Sequence, residues 1–118
     1  MEYNLREGDL PVFVEWMDFV HWLLNTTSKF PKKVRFTLTT RIDNFALDVV
    51  ENLVEARYTK NKLPFLKAIN IQLEKLRILL RICHQERYLS THAYELASKK
   101  INTVGQMIGN WSKQQEKT

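Results

Sequence analysis

Phe30-Pro31-Lys32-Lys33-Val34-Arg35-Phe36-Thr37-Leu38-Thr39-Thr40-Arg41-Ile42, continued to Val54-Glu55-Ala56-Arg57-Tyr58, decides how this chain folds. Apolar residues fall at Val34, Leu38, Ile42, Phe45, Val49 and Leu53, a spacing near the 3.6-residue helical period. Thr37-Leu38-Thr39-Thr40 has some strand propensity, but the helical period around it should override that. The segment therefore reads as a helix over about 31–59, with Pro31 in its first turn. Its opening is loaded with Lys32, Lys33, Arg35 and Arg41. Cations near a helix N-terminus oppose the macrodipole, at roughly 0.3–1 kcal/mol each. Such a cluster needs another reason to be there, and an anionic partner supplies one.

Three more helices follow from the same pattern. Before this stretch, Asp9 precedes Leu10 and Pro11 as an N-cap acid. A helix over about 10–27 then carries two stripes: Phe13, Met17, Val20 and Leu24 beside Val12, Trp16, Phe19 and Leu23. After the break at Asn61-Lys62-Leu63-Pro64, a helix over about 64–87 carries Leu66, Ile69, Leu73, Leu76, Leu80 and Cys83 at heptad-like spacing. Ser90 or Thr91 caps a helix over about 91–112 with the stripe Tyr94, Ala97, Ile101, Val104, Ile108 and Trp111. The polar end beyond it is expected to fray. Four helices with short connections predict an all-α, antiparallel up-and-down four-helix bundle, one domain over residues 1–118.

Composition agrees. Apolar content is 44% and aromatic content 11%, enough for a packed core, and with only 3 Gly and 3 Pro the turns are few and the elements long. The first helix carries more apolar surface than one bundle hides, which predicts oligomerisation. Gly105 and Gly109, one turn apart on the last helix, predict the close approach of another backbone.

The net charge is +5, yet residues 1–28 set Arg6 against Glu2, Glu7, Asp9, Glu15 and Asp18. All the excess positive charge thus lies on the later helices, which points to a polyanionic partner. Arg77 and Arg81 share a face of the third helix, in a row with Glu74, His84 and Tyr88; Arg87, Lys99 and Lys100 follow. Arg grips phosphate through a planar fork of donors. The candidate binding residues are therefore Lys32, Lys33, Arg35, Arg41, Arg77, Arg81, Arg87, Lys99 and Lys100. A pairing of Arg77 with Glu74 is the competing explanation for that residue.

Catalysis finds no footing. Asp18-Phe19-Val20-His21 has the spacing of half a di-iron motif, without a second copy. Cys83 and His84 are adjacent, so on a helix they diverge by about 100° and do not form a nucleophile–base pair. The single cysteine excludes an internal disulfide and falls on the apolar stripe. No glycine-rich phosphate loop occurs. The expectation is a non-enzymatic protein without metal or cofactor. No run reads as a secretory signal or membrane span, so it is expected to be soluble and cytoplasmic.

Two segments resemble the accessory variability determinant proteins of diversity-generating retroelements. One is the opening stretch through Arg41-Ile42 together with Leu53-Val54-Glu55-Ala56-Arg57-Tyr58. The other is Leu76-Arg77-Ile78-Leu79-Leu80-Arg81, then Tyr88-Leu89-Ser90 and Tyr94-Glu95-Leu96-Ala97-Ser98-Lys99. The resemblance implies a four-helix bundle assembled as a basic homopentamer. It also implies association with the element's reverse transcriptase, template RNA and cDNA during mutagenic cDNA synthesis. Arg35, Arg41, Arg77 and Arg81 lie inside the matched motifs; the other candidate bases lie in or beside them. Two alternatives stand: the related four-helix protein of ribosomal RNA intervening sequences, and a structural oligomer with an acidic protein partner.

Overall fold

The computed structural model describes residues 10–117. Four α-helices account for most of them: α1 (Pro11–Thr27), α2 (Thr40–Tyr58), α3 (Leu63–Gln85) and α4 (Thr91–Glu116). No strand occurs among the described residues. Each helix packs on its neighbours in sequence, and α1 closes the square against α4. The result is an antiparallel four-helix bundle of 46 × 27 × 24 Å. Its core takes one stripe from every helix, and the expected residues of α3 (Leu66, Ile69, Leu73, Leu76, Leu80 and Cys83) are all buried. Burial pushes the Cys83 thiol from 9.0 up to about 11, so it stays protonated at neutral pH.

The helix ends follow local chemistry. At the start of α1, Leu10 has extended backbone and Pro11 occupies the first turn. The expected cap, Asp9, lies outside the described residues. The hydroxyls of Thr26 and Ser28 donate to the carbonyls of Trp22 and Asn25 at 2.9 and 2.7 Å as the helix ends. Ser90 caps α4, its Oγ accepting from the Ala93 N–H at 3.1 Å. α4 then continues past Ser112 to Glu116, so the polar residues expected to fray are helical that far.

The second helix departs from the expected single run over 31–59. A short 3-10 turn (Lys32–Val34) leads into a π-turn (Arg35–Thr39), and regular α-helix begins only at Thr40. The threonines explain the departure. Thr40 Oγ1 donates to Arg35 O at 2.5 Å and Thr37 Oγ1 to Val34 O at 3.2 Å, so side chains compete for backbone carbonyls. β-Branched residues further weaken regular α-geometry. Thr39 Oγ1 is buried without a partner among the described residues. Leu38, inside the irregular turn, is only partly buried, while Ile42, Val49 and Leu53 are buried as expected. Ala46 becomes the fully buried residue, while Phe45 packs at the core edge with Lys75 Nζ 5.3 Å from its ring.

Ala46 lets α1 come close. The Trp16 side chain is fully buried, and its indole N–H donates to Ala46 O at 2.9 Å. Among the described residues, no large apolar side chain of α1 is strongly exposed. The stripe Val12, Trp16, Phe19 and Leu23 is buried together with Val20, while Phe13, Met17 and Leu24 are only partly covered. The apolar side chains that do face solvent are Phe36 in the π-turn, Leu47, Val54 and Tyr58 of α2, Ile71, Ile78 and Ile82 of α3, and Leu96 of α4.

Lys62 ties the far end together. Its ammonium donates to the carbonyls of Ala56, Arg57 and Thr59 at 2.7, 3.1 and 3.0 Å, where the α2 dipole is negative. It also lies 5.9 Å from the Trp111 ring centroid on α4. We expect Lys62→Met to lower stability by about 1–2 kcal/mol, read as an earlier urea midpoint; an unchanged midpoint would show that these bonds contribute nothing net.

Asp43 links α2 to α1, accepting from Thr27 Oγ1 at 2.7 Å. Burial raises its pKa above the ordinary 3.8, and the Thr27 bond only partly offsets this. The folded protein thus binds a proton on Asp43 more readily than the unfolded chain does. The favourable contribution of this proton is fully present below 3.8 and is lost as pH rises through the folded value. Asn keeps an acceptor for Thr27 without the charge. Asp43→Asn should therefore raise the melting temperature at neutral pH, with the gain shrinking as the buffer is taken down through the carboxylate range. An equal gain at every pH would contradict the assignment.

Candidate nucleic-acid interface

Antiparallel packing places the loop after α1 and the loop after α3 at one end of the bundle. Contacts between the loops confirm this: the Phe30 and Tyr88 rings lie 6.3 Å apart, and Lys33 Nζ is 5.8 Å from the Tyr88 ring centroid. Phe30, Val34 and Leu89 are buried beneath them. The chain between Ser28 and Arg41 carries Lys29, Lys32, Lys33, Arg35 and Arg41 and no acid. The facing turn contributes Arg87, and Arg81 lies in the last turns of α3, six residues earlier. These side chains are all exposed. None of them forms an ion pair among the described residues. The acids nearby are few: Glu86 is exposed, and Asp43 is turned to Thr27.

The turn carrying Arg87 is a Schellman closure. Tyr88 N donates to Cys83 O at 2.9 Å and Arg87 N to His84 O at 3.0 Å. Arg87 takes the left-handed position, φ 65°, where glycine is usual. An L-residue there costs roughly 1 kcal/mol, and the geometry projects a cation at the bundle end.

The nine bases singled out from sequence therefore separate. Lys32, Lys33, Arg35, Arg41, Arg81 and Arg87 gather at this end. Arg77 does not stand open beside Arg81. It is half-buried between α3 and α4, paired with Glu74 at 3.1 Å, and its Nε donates to Asn102 Oδ1 at 3.2 Å. Lys100 pairs with Glu15 of α1 at 3.0 Å, and Lys99 is exposed on α4. His84, in the same row as Arg77, stacks on Tyr94 with ring centroids 4.6 Å apart and lies 3.1 Å from Thr91 Oγ1. Sequence reading passed over Lys29, whose loop position carried no periodic signal.

Within the chain, no other backbone approaches either glycine of α4. A Cβ at Gly105 would stand 3.2 Å from Arg77 Nη2, so this glycine makes room for a guanidinium and not for another backbone. Gly109 has open space around it. Among the described residues, no group of His, Cys, Asp and Glu is placed to hold a metal ion. No helix there is long and apolar enough to cross a membrane.

Glycine inside a helix costs about 1 kcal/mol against alanine. Gly109→Ala should recover about 0.5–1 kcal/mol in chemical denaturation, because nothing obstructs the new methyl. Gly105→Ala should recover less, because Arg77 must shift. Equal gains would show that Arg77 does not need the space.

The bAvd-like family matches the chain over residues 13–115, which takes in α2 and α3, nearly all of α1 and α4, and both loops of the basic end. No curated protein matches it. This span, with the all-α bundle above, identifies the chain as a member of the bAvd-like family, the accessory variability determinant proteins of diversity-generating retroelements.

Proposed function

We infer that this protein is a non-catalytic subunit that binds nucleic acid through the basic end of the bundle. The observation that carries this reading is the gathering of Lys29, Lys32, Lys33, Arg35, Arg41, Arg81 and Arg87 around two stitched loops, with few acids nearby. Phosphate contacts from such side chains hold a strand without reading its sequence. Membership of the family supports an accessory role beside the element's reverse transcriptase, with template RNA and cDNA as the polyanions. The protein works in the cytoplasm, where those components are made.

Assembly belongs to the same reading. Leu47, Val54 and Tyr58 on α2 and Ile71, Ile78 and Ile82 on α3 recur at seven- and four-residue steps on outward faces. They supply the apolar surface that contact between copies requires. The family resemblance supports a homopentamer. Repeating the basic end around a ring multiplies weak phosphate contacts into firm binding.

The triple variant Lys32→Ala, Lys33→Ala, Arg35→Ala tests this. It should keep the helical circular dichroism of the wild type and weaken RNA binding at moderate salt. For a single strand, the slope of log affinity against log salt should become shallower by about 0.7 for each phosphate no longer neutralised. The pair Arg77→Ala, Arg81→Ala should weaken binding less, since Arg77 is engaged inside the bundle. Wild-type affinity and slope in the triple variant would remove the basic end from the function.

A further inference from the structure

Among the described residues, no large apolar side chain is more exposed than Phe36, at 87%. It sits in the π-turn, directly after Arg35 and within a few residues of Lys32, Lys33 and Arg41. The turn that carries it is not loose. Val34 anchors it in the core, and the Thr37 and Thr40 hydroxyls bond the carbonyls of Val34 and Arg35. The backbone held by these contacts presents an aromatic face to water in the middle of a cationic patch.

We propose that Phe36 is a stacking platform for an unpaired nucleobase, which makes single-stranded nucleic acid the substrate of the basic end. The inference rests on the nucleic-acid reading above and narrows it. Aromatic rings interleaved with phosphate-binding cations are the means by which proteins hold single strands, since every base offers a π-face. A duplex keeps its bases stacked inside and offers phosphates, 2′-hydroxyls and base edges but no open base face along its length. The apolar pocket of a protein partner fits the site less well. Lysines are depleted from the cores of such interfaces, and burying Phe36 there would desolvate Lys33 and Arg35 beside it. Stacking leaves those cations at the strand's phosphates, still hydrated.

The test uses the intact protein with two probes: a short single-stranded RNA carrying 2-aminopurine, and the same RNA paired with its complement. Wild type should change the fluorescence of the single strand, as stacking on a ring does. Phe36→Leu should weaken single-strand binding by roughly five- to a hundredfold. It should leave duplex affinity and the salt slope unaltered, and Phe36→Trp should restore binding. The substituted position is exposed, so the variants are expected to fold, which circular dichroism checks. Wild-type single-strand affinity in Phe36→Leu overturns the platform while leaving the phosphate interface standing. So does an equal weakening for both probes. An altered mass in light scattering would make the ring a contact between copies. Failure to co-purify with the reverse transcriptase while RNA affinity stays intact would make it a protein contact. Wild type that binds neither probe at low salt would bring down the parent reading and the platform with it.

Discussion

The complete burial of Trp16 against the backbone of α2 constrains the whole bundle. Its indole N–H reaches Ala46 O at 2.9 Å, and the methyl side chain of Ala46 lets the ring come that near. A buried tryptophan needs a partner for its N–H, so this bond sets the rotation and height of α1 on α2. Thr27 and Asp43 repeat the connection at the other end of α1. With both contacts made, the chain leaving α1 must cross the bundle end before α2 starts. The bases of that crossing are therefore set against the turn between α3 and α4.

Among the described residues, no acid pairs with the cations at that end, and Lys33 has only the Tyr88 ring. Lys62, at the opposite end, is engaged with three carbonyls and faces a ring, as a structural cation is. Arg77 and Lys100 likewise have acids. Lys32, Arg35 and Arg87 have no such partners among the described residues, and Arg87 holds a backbone conformation that glycine would adopt without strain. Natural folds keep local strain and uncompensated charge mainly where something outside the fold makes use of them.

Particular residues show how much could be read before the structure. The α3 stripe was legible to the last position because leucines and isoleucines at a regular period on an unbroken helix leave one solution. In the second segment Val34, Ile42, Val49 and Leu53 were legible, while Leu38, inside the π-turn, is only partly buried. Ala46 rather than Phe45 fills the core, because helical spacing from Ile42 admits either and the Trp16 contact selects the smaller. The glycines of α4 signalled a close approach. Whether a backbone or a guanidinium approached depended on the rotamer of Arg77, a matter of three-dimensional packing. Of the large apolar side chains of α1, the core absorbs Trp16 and Phe19 and leaves Phe13 and Trp22 partly covered, a division that depends on helix rotation and not on residue size.

By itself the sequence determined the helical class, the number of helices, the stripe each one buries and the excess of positive charge on the later part of the chain. Those properties are local: they follow from side-chain periodicity, caps and breaks along one strand of residues. Tertiary structure alone decided which bases act together. Two bases adjacent in a helical row, Arg77 and Arg81, were divided when α4 closed over the first. Lys33 and Arg87, far apart in the chain, were brought to one end by the antiparallel path. Burial of the apolar stripes fixes the rotation of every helix, and that rotation distributes the charges.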